Sequence, residues 1–157
     1  DNYPNSRIVL LRGLEDGFIF YTNYNSQKGR EIEKNPKAHI NFYWPSLERQ
    51  VRIRGIINKT STKVSDRYFL SRPLKSRIGA ILSDQSTEIS FEKDLQKELL
   101  EEINRNQNKE IERPSHWGGY NLEPSEIEFW QGKDARLHDR LLYERINNEW
   151  ITKRLSP

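Results

Sequence analysis

Over residues 48–59 the sequence ERQVRIRGIINK sets Val51, Ile53 and Ile57 in alternation with Arg52 and Arg54. A period of two belongs to a β-strand, because successive side chains leave opposite faces of the pleat. The segment therefore has one apolar and one charged face. Comparable runs surround it. Residues 6–12 (SRIVLLR) read as a strand buried on both faces, and residues 17–22 (GFIFYT), after the turn-like Glu15-Asp16-Gly17, make a hairpin with it. Further strands are predicted over 37–44, 126–131, 141–146 and 150–155, the last two joined by Asn147-Asn148. Strands outnumber helices and short turns join most of them. The expected fold is mainly β with α, an antiparallel barrel with peripheral helices.

Between the strands the period lengthens to that of a helix. Ser26 can cap a short helix, SQKGREIEKN, that Asn35-Pro36 ends. Val64, Tyr68 and Phe69 recur at helical spacing until Pro73, and a second short helix follows over 76–82. Ser90 opens the longest pattern, with Phe91, Leu95, Leu99 and Ile103 in one stripe and Glu92 and Asp94 in the first turn. Residues 104–114 read as a polar, mobile connection.

A chain of 157 residues fits one domain, here 1–157, and buries roughly 68–70% of its unfolded surface. Only 34% of residues are hydrophobic, but Trp 4, Tyr 7 and Phe 6 supply much of the buried area. No window approaches the roughly 18 apolar residues of a membrane helix. A soluble, cytoplasmic protein is expected. The absence of Cys removes disulfides, thiolate metal sites and cysteine nucleophiles together. His39, His116 and His138 lie far apart and make no zinc spacing. A net charge of +3 is too small to argue for nucleic acid. The lack of Met and the abrupt first strand predict an upstream part ahead of Asp1.

Four groups of residues could carry chemistry. Ser26, Lys28 and Arg30 stand at a helix start, where free N–H groups and the dipole favour a phosphate. They equally fit a capped surface helix with solvated cations, the commoner arrangement. Arg136, His138 and Arg140 would share one face of an extended segment and form a cationic patch, unless Asp139 neutralises one arginine. Tyr68 and Arg72 lie one helical turn apart, with Ser76 just beyond Pro73; together they could hold a phosphate or simply end a helix. The aromatics around Trp117 and at Phe129-Trp130 suit the core, Phe129 above all. No Ser-His-Asp order, P-loop or dinucleotide fingerprint is present.

In order and spacing, SRIVLLRG, FYTN followed by SQKGRE, FYWPSLERQVRIRG, YFLSRP, SRIGA, DQS, HWGGY, IEFWQG, RLHDR and RLSP resemble the pyridoxamine/pyridoxine 5′-phosphate oxidase family. The resemblance covers nearly the whole chain. It implies an FMN-binding split β-barrel that works as a homodimer with FMN at the subunit interface. It also implies oxidation of the 4′ carbon of pyridoxamine or pyridoxine 5′-phosphate, with dioxygen reduced to hydrogen peroxide and pyridoxal 5′-phosphate formed. By position, the resemblance sets FMN against Arg7, Ile8, Val9, Leu10, Leu11, Arg12, Tyr21, Thr22, Gln27, Lys28, Gln50, Gln85, Ser86, Trp130 and Arg140. It sets the substrate against Arg12, Tyr68, Arg72, Ser76, Arg136, Leu137 and His138, with Arg136 and His138 covering the pyridine ring in the catalytic role.

A cofactor that carries the redox chemistry leaves the protein to bind and orient two phosphorylated rings, so missing thiols and metal ligands are no obstacle. The chain departs from the family at four places. Arg12 stands where Lys is usual, Gln27 where Arg is usual, Arg77 where Gln is common and Ile81 where Trp is frequent. The family's upstream helix and first strand would precede Asp1. Two other readings compete: a split-barrel flavin oxidase on another substrate, of phenazine-pathway type, and a non-enzymatic FMN-binding module. Intact Tyr68, Arg72 and Ser76 argue for a phosphorylated substrate.

Overall fold

The alternating segment becomes β3 (Arg49–Lys59), antiparallel to β2 (Lys37–Trp44) on one side and to β4 (Trp117–Gln131) on the other. The computed structural model describes residues 3–14, 17–106 and 109–157. Ile53 and Ile57 are buried, while Arg52 and Arg54 stand on the opposite face against Glu128 and Glu126 of β4. β1 (Phe18–Asn23) pairs with the first part of β4, and β5 (Asp139–Ile146) with its last part. β4 thus spans the whole sheet. The β5 and β6 (Glu149–Arg154) hairpin turns through Asn147 and Asn148, both at positive φ, as a right-twisted two-residue turn requires.

Helices α1 (Gln27–Lys34), α2 (Thr62–Ser71), α3 (Leu74–Leu82) and α4 (Leu95–Arg105) lie outside the sheet. One apolar cluster joins Phe20, Ile53, Ile57, Tyr120 and Leu122 within the sheet. A second joins Phe69, Ile78, Ile111 and Trp117, with Leu99 and Ile103 packed against it. The mainly β, antiparallel fold with peripheral helices is the one expected.

Several local expectations are corrected. Residues 6–12 form no strand: beyond the single bridge of Gly13 to Ile19 they have no ladder partner, Val9 alone is half-buried, and Ile8 and Leu10 are exposed. Apolar composition marked the segment, but a strand needs a neighbour as well. Glu15 and Asp16 of the expected turn lie outside the described residues. The longest helix starts at Leu95, not near Ser90, because the Asp94 carboxylate accepts the N–H groups of Gln96 and Lys97 and caps it there. Phe91 is left fully exposed. In the connection over 104–114, Gln107 and Asn108 lie outside the described residues, yet Ile111 is a buried core residue. The last predicted β-stretch before the RLHDR motif is longer than 126–131, since β4 begins at Trp117.

Candidate active site

Two groups of candidate residues form, one at each end of β4. The first is built around the end of β1 and the start of α1. Ser26 is fully buried, and its hydroxyl is used locally, donating to the Asn23 carbonyl at 2.7 Å and accepting from the Gly29 N–H at 3.3 Å. It is a helix cap, not a ligand. Arg30 is likewise turned away, bonded to the Asn25 carbonyl. Lys28 instead reaches inward. Its Nζ donates to Thr22 Oγ1 at 2.8 Å, and Thr22 donates to Gln85 Oε1 at 3.0 Å. Burial holds the Lys28 ammonium below the ordinary 10.5; Arg7 adds repulsion and Glu31 opposes it. Ser86, beside Gln85, is exposed at φ 71°.

Arg7 is tied to Glu31 at 2.9 Å, and Gln27 donates to the other oxygen of the same carboxylate at 2.9 Å. Gln27, a neutral amide, thus faces Glu31. No carboxylate lies within ion-pair distance of Lys28 among the described residues. A half-buried cation so placed suits an external anion.

Tyr21 precedes Thr22 on β1 and stacks on Tyr68 of α2, with centroids 3.8 Å apart. Trp117 continues the stack, 5.6 Å from Tyr21 and nearly parallel to Tyr68. Arg72, which ends α2, lies 4.6 Å over the Trp117 ring, and the Arg12 guanidinium lies 6.0 Å from the Tyr68 ring. Arg72 Nη1 is buried and meets no acceptor among the described residues. Leaving such a donor unmet costs about 1–3 kcal/mol, and an acceptor from outside the chain could offset that cost. Ser76 stands close by in the first turn of α3. Among the described residues Arg77 Nε is also buried without an acceptor, and Ile81 is 40% exposed.

The second group lies where β3, β4 and β5 run side by side. Gln50, Trp130 and Arg140 are direct cross-strand neighbours, so their side chains share a face. The His138 ring packs 4.6 Å from Trp130, and its Nδ1 accepts the Lys133 N–H at 3.2 Å. Arg140 is bound to Glu128 at 2.8 Å. Arg136, His138 and Arg140 do not form the expected single face. Ala135 and Arg136 adopt positive φ in a short turn over Asp134–Arg136, which turns Arg136 and the exposed Leu137 out of the strand path. Asp139 neutralises neither neighbouring arginine; it pairs with Lys133 and Arg154. Sequence reasoning missed Glu128, whose role depends on cross-strand register. Its signal was the alternation of Glu126 and Glu128 along a strand that pairs with the arginine-rich one.

Gly119, opposite Tyr21, and Trp130, opposite Gln50, are separated by roughly 35 Å of strand path. Opposite ends of β4 therefore carry the two groups.

Residues 1–106 match the family model described as pyridoxamine 5′-phosphate oxidase, and residues 117–157 match the pyridoxine 5′-phosphate oxidase C-terminal dimerisation region. The chain belongs to the pyridoxamine 5′-phosphate oxidase family. A pyridoxine/pyridoxamine 5′-phosphate oxidase of Legionella pneumophila strain Paris is 55% identical over 99% of this chain and 73% of its own length. One from Trichormus variabilis is 51% identical over the whole chain and 74% of its own length. Among solved structures, PhzG from Burkholderia lata 383, in complex with tetrahydrophenazine-1-carboxylic acid, superposes with a TM-score of 0.90 at 32% identity. That match covers 98% of this chain and 75% of that one. An FMN-binding protein from Nostoc punctiforme shares the fold at a TM-score of 0.75 and 19% identity, covering 96% of this chain and 80% of that one. The fold is the split barrel of this oxidase family. Phe129 is 46% exposed rather than buried in the core, and Leu141, Ile146, Trp150 and Ile151 are similarly open. All five lie within the family's dimerisation region. No helix among the described residues is long and apolar enough to cross a membrane.

Proposed function

We propose that two copies of this chain form an FMN-dependent oxidase that converts pyridoxamine or pyridoxine 5′-phosphate to pyridoxal 5′-phosphate, with dioxygen reduced to hydrogen peroxide and, from the amine, water taken up and ammonia released. The observation that carries this reading is a pair of cations at either side of the Tyr21–Thr22 step: among the described residues, Lys28 has no carboxylate at ion-pair distance and Arg72 has a buried donor unmet. Two phosphorylated molecules need two such points. Lys28, Thr22, Gln85 and Ser86 would take the FMN phosphate and ribityl side, with Gln50, Trp130 and Arg140 supplied by the second copy. Arg72, Tyr68, Ser76 and Arg12 would hold the substrate phosphate.

When bound, FMN supplies the two-electron acceptor that dioxygen restores. The chain's own residues do the rest. Arg72 fixes one end of the substrate, and Arg136 and His138 of the other copy cover its ring. A ring held at both ends presents its 4′ carbon in one orientation, which is where enzymes gain most when the cofactor carries the chemistry. The stacked Tyr21, Tyr68 and Trp117 rings would line the phosphate end beside Arg72, and an apolar wall there would strengthen the Arg72 contact. The 32% identity to PhzG favours a second reading, an oxidase acting on a non-phosphorylated reduced phenazine. The unmet Arg72 donor would have no phosphate to meet in that reaction.

The test is a substrate comparison. Protein loaded with FMN is given pyridoxine 5′-phosphate, pyridoxamine 5′-phosphate and tetrahydrophenazine-1-carboxylic acid in air. The proposal expects pyridoxal 5′-phosphate and hydrogen peroxide in equal amounts from the first two. Turnover of the phenazine alone would replace it with the second reading.

A further inference from the structure

Among the described residues Glu128 is the one buried carboxylate, with a side chain 4% exposed, and it serves two arginines at once. Arg52 of β3 bonds one of its oxygens from the neighbouring strand. Arg140 of β5 grips it in a fork, Nε to Oε1 at 2.8 Å and Nη2 to Oε2 at 3.2 Å. Arg140 also donates through Nη1 to the Ser156 carbonyl at 3.0 Å, and accepts the Leu155 N–H on its own carbonyl at 3.0 Å. The guanidinium is thus fixed along one edge by a carboxylate and at one corner by a backbone oxygen. Its rotation is removed. What remains of the fork lies in the row of Gln50 and Trp130, its cross-strand neighbours.

A bond to sheet stability alone does not account for this arrangement. One step along the same strands, Arg54 and Glu126 make an ordinary one-to-one pair with the arginine 58% exposed. Burying a carboxylate between two guanidiniums carries a desolvation cost that apolar residues of similar volume avoid. The gain specific to this geometry is orientation, since a planar fork held bidentately by a carboxylate cannot swing.

We propose that Glu128 is a positioning residue for the cofactor site: through Arg140, it presets the guanidinium edge that FMN meets. The inference rests on the reading of Arg140 as an FMN contact. Its test measures FMN affinity by quenching of flavin fluorescence in Glu128→Gln, Arg140→Ala, Arg140→Lys, the double variant Glu128→Gln/Arg140→Ala, and Arg52→Ala. Glu128→Gln keeps shape and one acceptor oxygen but loses the charge that holds the fork. The expected result is FMN binding about 10-fold weaker in Glu128→Gln. The double variant should then be no weaker than Arg140→Ala, because the two residues act as one unit. Arg140→Lys, which keeps the charge but not the fork, should lose nearly as much as Arg140→Ala. Arg52→Ala should lower the melting temperature and leave FMN affinity unchanged. Equal losses for Glu128→Gln in the presence and absence of Arg140 would overturn the proposal, as would wild-type affinity in Arg140→Lys. Unchanged affinity in Arg140→Ala would instead remove the reading of Arg140 as an FMN contact, and the proposal with it.

Discussion

Arg72 and Lys28 are both cations in half-buried surroundings, and their different neighbours predict different losses. Arg72→Ala should raise KM for pyridoxine 5′-phosphate about 10- to 100-fold, the range for a lost charge-assisted hydrogen bond, and leave FMN affinity nearly unchanged. Steady-state kinetics and a flavin titration on the same sample check both halves. Lys28 has a pKa lowered from 10.5 by burial, and a phosphate dianion beside it would raise that pKa again. FMN binding should therefore take up a proton and weaken as pH rises through the lowered Lys28 pKa toward 10.5. Lys28→Met should bind FMN more weakly and show a flatter profile, and an unaltered pH profile in that variant would refute the assignment. At this scale the sequence was informative about identity and silent about geometry. Tyr68, Arg72 and Lys28 were visible as motif residues. That Ser26 and Arg30 satisfy their own backbone, and that Gln27 faces Glu31, depends on rotamers no spacing reveals.

Elements place these residues, and α1 is the most exposed to perturbation. Gly29 is buried in its first turn, and a Cβ there would come within 1.9 Å of the Tyr24 carbonyl oxygen. Gly29→Ala should shift the helix start, lower the melting temperature and loosen FMN, as seen by thermal denaturation with and without added FMN. If the variant matches wild type in both, α1 is not held against the β1 turn as described. The strands β2, β3, β5 and β6 were legible to within a residue or two, because alternation and turn residues act locally. Where pairing partners decide the outcome, local pattern failed. Residues 6–12 look like a buried strand but pair with no ladder, the one bridge lying beyond them at Gly13, and the long β4 hides its first half behind a glycine pair and a proline. The misplaced start of α4 has a simpler cause, since the apolar stripe continues past its true cap at Asp94.

At the level of the whole molecule, the two residue groups lie apart along β4, and the dimerisation region leaves apolar side chains open. A two-fold dimer places the same patch of each copy against the other, so it can join the first group of one chain to the second group of its partner, twice. The composition read as one ordinary domain, and nothing in a net charge of +3 distinguishes one site from two half-sites. Subunit complementation does. Arg72→Ala damages the first group and Arg136→Ala the second; each homodimer then has two broken sites. A hybrid with one lesion in each chain gathers both lesions in one site and leaves the other intact. After co-refolding the two variants in equal amounts, with substrate well below either KM, oxidation of pyridoxine 5′-phosphate should recover to about a quarter of the wild-type rate. A mixture no more active than its parents would contradict a site built from two chains.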